Sequence, residues 1–221
     1  GLVGSEMCIR DSSITLHGYT SAQGDLETRQ AIADYLNNTY ETNFKADNLY
    51  MTMGAAASLS IAFKALTSSP DDEIIAIAPF FPEYRVFVTA AGAKFNVVAP
   101  DTKNFQINFD EFEKLVNKNT KAVIINSPNN PSGAVYSEQT IKKLADFLSK
   151  KSEEYGTHIF IITDEPYREI VYDGVEVPYV TKYYNDTIVC YSYSKSLSLP
   201  GERIGFILVP DEAYELSLIH I

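Results

Sequence analysis

The chain is poor in the residues that build covalent or metal-held scaffolds. It has two cysteines, Cys8 and Cys190, and three histidines, His17, His158 and His220, in 221 residues. Two cysteines make no disulfide framework for a chain of this size, and no Cys/His spacing resembles a zinc site, so no metal is expected. Cys190 lies inside an apolar run and reads as a small buried hydrophobe, which fits a reducing compartment. Positive charge is also scarce. The 18 Lys and Arg residues against 29 Asp and Glu leave a net charge of −11. That field repels nucleic acid and anionic membrane, so neither is expected as a partner. No apolar run approaches the roughly 20 residues of a membrane-crossing helix. Repeats, low-complexity tracts and internal linkers are missing, and no Gly-x-Gly-x-x-Gly follows a strand-like run, which argues against a dinucleotide-binding domain. A cytoplasmic protein is expected.

What is present suffices for one sizeable α/β core, with 45% hydrophobic residues and 21% charged. Gly24-Asp25 opens an amphipathic helix with Leu26, Ile32, Ala33 and Leu36 on one face. A strand over 49–53 runs through Gly54 into a second helix carrying Leu59, Ile61, Phe63 and Leu66. Strands follow at 73–78, 94–99, 122–125, 159–162, 187–191 and 204–209, with helices at 83–91, 109–117 and 138–155 between them. Most of these strands are continuously apolar, as expected where helices cover both faces of a sheet. Strands alternating with helices predict a three-layer α/β/α fold around a mainly parallel sheet.

In such a sheet, ligands bind beyond the carboxyl ends of the strands. Those ends deliver Gly54-Ala55-Ala56-Ala57, Pro79-Phe80-Phe81-Pro82, Asn126-Ser-Pro-Asn-Asn-Pro-Ser-Gly133, Asp164-Glu-Pro-Tyr167 and Ser192-Tyr-Ser-Lys195. Each has a plain reading. A lysine after a strand is commonly a solvated charge, Asp164 can cap a short helix, and the Asn/Pro/Gly run suits a turn. Together they suit a planar, phosphorylated, nitrogen-bearing aldehyde. The lysine can form an imine, the carboxylate can keep a ring nitrogen protonated, and amides opening a helix can bind phosphate.

The run Ser192-Tyr-Ser-Lys195-Ser-Leu-Ser-Leu-Pro-Gly-Glu-Arg203-Ile-Gly205, with Asp164-Glu-Pro-Tyr167 and Asn129-Asn130-Pro131-Ser-Gly133, resembles the class I and II aminotransferases. The resemblance runs from about Leu16 to Pro210 and implies the large domain of the aspartate aminotransferase fold, with pyridoxal 5'-phosphate as cofactor. By that resemblance Lys195 carries the internal aldimine and moves the substrate proton, and Asp164 pairs with the pyridinium nitrogen. Tyr167 and Asn130 would bond the ring hydroxyl. Ser192, Arg203 and the amides near Ala55 and Ala56 would hold the phosphate, and Phe81 would stack on the ring. Tyr19 matches a tyrosine that reaches the phosphate of the partner subunit, which implies a homodimer. Ala56 stands where many relatives have a hydroxyl, so one side-chain donor to the phosphate is lost.

The reaction implied is transfer of an amino group from an amino acid to a 2-oxo acid. The same cofactor site also serves carbon–sulfur lyases and acyltransferases, and fold does not choose among them. A regulatory ligand-binding domain would need a DNA-binding module, which this sequence does not display. The opening GLVGSEMCIRDS and closing LSLIHI resemble translated adaptor sequence, and the opening is not a signal peptide. Residues 1–12 and 215–221 are therefore expected to be non-native tails flanking a domain over 13–214. The small domain and N-terminal arm of the resembling family are not recognisable here, so the chain alone is not expected to be a competent enzyme.

Overall fold

The computed structural model describes residues 19–213, so both expected tails lie outside the described residues. Among the described residues six α-helices and seven strands alternate. The helices are α1 (Leu26–Tyr40), α2 (Ala55–Leu66), α3 (Glu83–Ala91), α4 (Phe109–Leu115), α5 (Glu138–Tyr155) and the short α6 (Tyr193–Ser196). The strands are β1 (Leu49–Thr52), β2 (Glu73–Ile77), β3 (Lys94–Val98), β4 (Thr120–Asn126), β5 (Phe160–Asp164), β6 (Thr187–Ser192) and β7 (Gly205–Leu208). They form one sheet in the order β1-β7-β6-β5-β4-β2-β3. Pairings from β3 through to β6 are parallel, and β7 alone runs against both of its neighbours.

The mainly parallel sheet thus matches the expectation, and helices pack on both faces. Leu59, Phe63 and Val88 of α2 and α3 bury one face against Ile74, Ile124 and Ile162. Ile141, Leu144 and Leu148 of α5 bury the other against Ile75, Val123 and Ile161. Successive strand residues therefore both meet apolar partners, which is why the strands read as unbroken apolar runs. Helix ends follow their local signals. Asp25 accepts from the Thr28 amide, Ser137 accepts from the Thr140 amide, and α5 ends at Gly156 in the left-handed region.

One expectation fails in α1. Leu26 is 59% exposed, while Arg29 is buried beside Ile32, Ala33 and Leu36. Leu26 is the first helical residue, and the buried stripe begins a turn later, at Arg29. Arg29 is tolerated because it donates to the Ala46 carbonyl at 2.7 Å and to Asp47 at 3.4 Å.

Candidate functional site

The parallel register brings strand ends to one edge of the sheet. Asn126 pairs beside Asp164, and Asp164 beside Cys190, so the ends of β4, β5 and β6 finish together. The reversed direction of β7 adds to this. Its first residue, Gly205, pairs with both Ser192 and Thr52, so the segment just before it delivers Arg203 to the same edge. A parallel β7 would start at the opposite edge.

Close backbone approach makes this possible. A Cβ on Gly205 would collide with the Tyr191 carbonyl oxygen and lie 2.8 Å from Gly54 Cα. Gly54 has φ of +88° and caps α2, and a Cβ there would lie 2.9 Å from the Arg203 guanidinium. Ser58 ties the start of α2 down through Thr52 Oγ1 at 2.7 Å and the Phe206 carbonyl at 3.2 Å.

These segments enclose a cavity of about 220 Å³. It is lined by Ala55, Ala56, Phe81, Asn130, Asp164, Tyr167, Ser192, Lys195 and Arg203, with Leu59, Pro166, Ser194 and Pro200. Nine of the ten residues expected at the site therefore share one cavity. Tyr19 does not line it and is fully exposed.

Asp164 is the most constrained of the nine. Its Oδ2 accepts from the Tyr84 hydroxyl at 2.5 Å, whereas its buried Oδ1 has no hydrogen-bond partner among the described residues. Burial pushes its carboxyl up to about 7, with Tyr84 opposing and nearby Glu165 adding to the rise. Asn126 fixes the backbone here, donating to the Asp164 carbonyl at 2.7 Å and accepting from the Asn130 amide at 2.6 Å. Asn130 Nδ2 and the Tyr167 hydroxyl stand 3.5 Å apart, a loose contact that leaves both able to bond a third group. Burial and the Asp164 charge raise the Tyr167 phenol, with Asn130 opposing.

At the other end, the Gly54 carbonyl takes the Ala57 and Ser58 amides. The Ala55 and Ala56 amides have no acceptor among the described residues, as is usual for the first turn of a helix. Arg203 lies over this turn and donates to the Met53 and Pro200 carbonyls. Ser192 Oγ accepts from the Ser194 amide at 3.1 Å and lies 2.7 Å from Ser194 Oγ. Lys195 is exposed and forms no ion pair among the described residues.

The family model for class I and II aminotransferases matches residues 6–219. The chain belongs to that family. A Bacillus subtilis protein named "Probable N-acetyl-LL-diaminopimelate aminotransferase" is 33% identical over 212 residues, covering 95% of this chain and 52% of the relative. Among solved structures, an amino transferase from Eubacterium rectale is 68% identical with a TM-score of 0.92, covering 98% of this chain and 54% of that one. An aspartate aminotransferase from Thermotoga maritima is 32% identical with a TM-score of 0.82, covering 94% and 54%. The chain spans about half the length of these relatives.

Class I and II aminotransferases depend on pyridoxal phosphate, and the residues present fit that group. The orphaned Asp164 Oδ1 is an acceptor awaiting a donor, as a protonated ring nitrogen would be. Open helix amides beside a guanidinium suit a phosphate.

Three supporting residues escape a sequence reading. Tyr84 lies on the buried face of α3, where nothing local marks it as a partner for β5. Glu165 and Arg168 carry full charges yet form a buried ion pair at 2.6 Å. Arg168 also donates to the Val177 and Pro178 carbonyls, and Glu165 accepts from Thr163, so the Asp164–Tyr167 turn is braced from behind.

Proposed function

We propose that the whole protein transfers an amino group from an amino acid to a 2-oxo acid, with pyridoxal phosphate held in this cavity. The observation that carries the reading is Asp164, whose unpaired buried oxygen shares one cavity with Lys195. Lys195 Nζ would hold the cofactor's aldehyde carbon. The Ala55 and Ala56 amides, Ser192 and Arg203 would hold its phosphate, and Phe81 would cover the ring. Asn130 and Tyr167 would donate to the ring oxygen. When bound, the cofactor supplies an electron sink for negative charge developing at the substrate α-carbon.

The chain's own residues divide the remaining work. Asp164 must stay ionised to hold a positive charge on the ring nitrogen. Burial opposes ionisation, while the Tyr84 hydroxyl and a cationic partner both favour it. Once released from the cofactor's carbon by the incoming substrate amine, Lys195 Nζ would be free to take the proton from the substrate α-carbon.

The site is proposed to be shared in a homodimer. An apolar groove of about 340 Å³ beside it is lined by Tyr35, Met51, Tyr193, Leu197, Leu199 and Ile204. Tyr19, exposed in one chain, would reach the partner's phosphate. Among the described residues no helix is long and apolar enough to cross a membrane. Buried free Cys190 and the acidic balance support a cytoplasmic setting.

The relatives' names differ in substrate, so the amino acid is left open. Incubating the whole protein with amino acids and 2-oxo acids tests the reaction. Transfer yields a new amino acid and a new 2-oxo acid in equal amounts. Release of one ammonia per amino acid consumed would instead identify a lyase.

A further inference from the structure

Lys195 sits on α6, a helix of four residues. One turn does not hold itself in water, so its position depends on ties to its surroundings. The backbone contributes the Tyr193 amide to the Ile204 carbonyl at 3.1 Å, and Ser192 caps the first turn. From the far end of α6 the tie is Ser196 Oγ, which lies 2.7 Å from the Tyr191 hydroxyl.

Tyr191 is well placed to serve as an anchor. Its ring is buried on β6, stacked on Phe206 at 5.0 Å and edge-on to Tyr193 at 5.1 Å. Its hydroxyl also donates to Glu169 Oε2 at 3.0 Å. Since Tyr191 has one proton and that proton serves Glu169, Ser196 supplies the proton of the second bond. Glu169 follows Tyr167 by two residues, and the Ile170 amide donates back to the Tyr167 carbonyl at 2.8 Å. One hydroxyl thus touches both the helix that carries Lys195 and the segment that carries Tyr167.

We propose that Glu169, Tyr191 and Ser196 form a positioning relay that fixes the Lys195 helix relative to the Tyr167 segment. None of the three lines the cofactor cavity, so they act through Lys195 and Tyr167 rather than on a bound molecule. The functional side of this inference rests on the cofactor reading above. Its structural side does not.

Amide hydrogen exchange on the full, cofactor-free chain reads the structural side. Losing one such bond opens a local segment about 3- to 10-fold more often. Tyr191→Phe keeps the ring and removes the hydroxyl. It should speed exchange by that factor in residues 193–197 and 167–170, with the amides of β4 and β5 unchanged. Ser196→Ala should do so at 193–197 alone. Glu169→Ala should do so at 167–170 alone, whereas Glu169→Gln, which still accepts a hydrogen bond, should restore wild-type exchange. In the loaded protein, Tyr191→Phe should retain full cofactor content yet react with an amino acid about 10-fold more slowly in a single turnover. Unchanged local exchange, uniformly faster exchange through the sheet, or a wild-type single-turnover rate would each overturn the relay. Failure of the wild-type protein to take up cofactor would count against the proposed function, while the exchange data judge the relay independently.

Discussion

The Tyr84 hydroxyl donates to Asp164 Oδ2 at 2.5 Å, while the other Asp164 oxygen is buried without a partner among the described residues. One residue of α3 thereby stabilises the charged form of a strand-end carboxylate that burial pushes the other way. Tyr84→Phe leaves both oxygens unsatisfied. It should cost about 1–3 kcal/mol of stability in urea unfolding and lower turnover roughly 3- to 10-fold. A variant indistinguishable from wild type in both would remove Tyr84 from the site.

The raised Asp164 carboxyl predicts a pH dependence of known sign. Burial lifts it from 3.8 to about 7, so between those values the folded, cofactor-free chain keeps a proton that the unfolded chain has lost. Its contribution is therefore fully present below about pH 4 and is lost as pH rises through about 7. Asp164→Asn has no such proton. The stability difference between the two proteins should move in favour of Asn from pH 4 to 8, by on the order of 4 kcal/mol at most. Urea titrations at several pH values give that difference directly, and a flat one would contradict the burial argument.

Much of this was legible from strand ends. Buried parallel strands leave a strong apolar signal, and the residue after each one is placed by the sheet itself. That is why Asn130, Asp164, Ser192 and Lys195 could be gathered from sequence. The apolar run at 204–209 carries no mark of direction, so the reversal of β7 that delivers Arg203 was not readable. Tyr84 was hidden because its partner is 80 residues away and its helix face looks like ordinary core. Leu26 was misplaced because periodicity does not say at which turn of a helix the core begins. Glu165 and Arg168 satisfy each other in the interior, and charge alone suggests the surface.

Gly205 lets three backbone segments meet beneath the cavity. Alanine there must displace the Tyr191 carbonyl or the Gly54 backbone, neither of which is a flexible side-chain end. Gly205→Ala should cost about 2–4 kcal/mol in unfolding experiments and weaken cofactor retention, because Arg203 and α2 move with those segments. Wild-type stability would show that the contact yields more easily than the geometry implies.

Tyr19 tests the shared site. A mixed dimer is assembled from one Lys195→Ala chain and one Tyr19→Phe chain. If Tyr19 acts across the interface, both defects fall in one site and the other is wild type. Cofactor titration should then count one normal-affinity site per dimer. Finding none would mean that each site carries one defect and that Tyr19 acts within its own chain.

Whether Lys195 holds the cofactor is decided by borohydride reduction of the whole protein loaded with pyridoxal phosphate, followed by peptide mapping. One modified lysine per chain is expected, at Lys195, and no fixed cofactor in Lys195→Ala. Cofactor fixed to a different lysine in the wild-type protein would contradict that assignment.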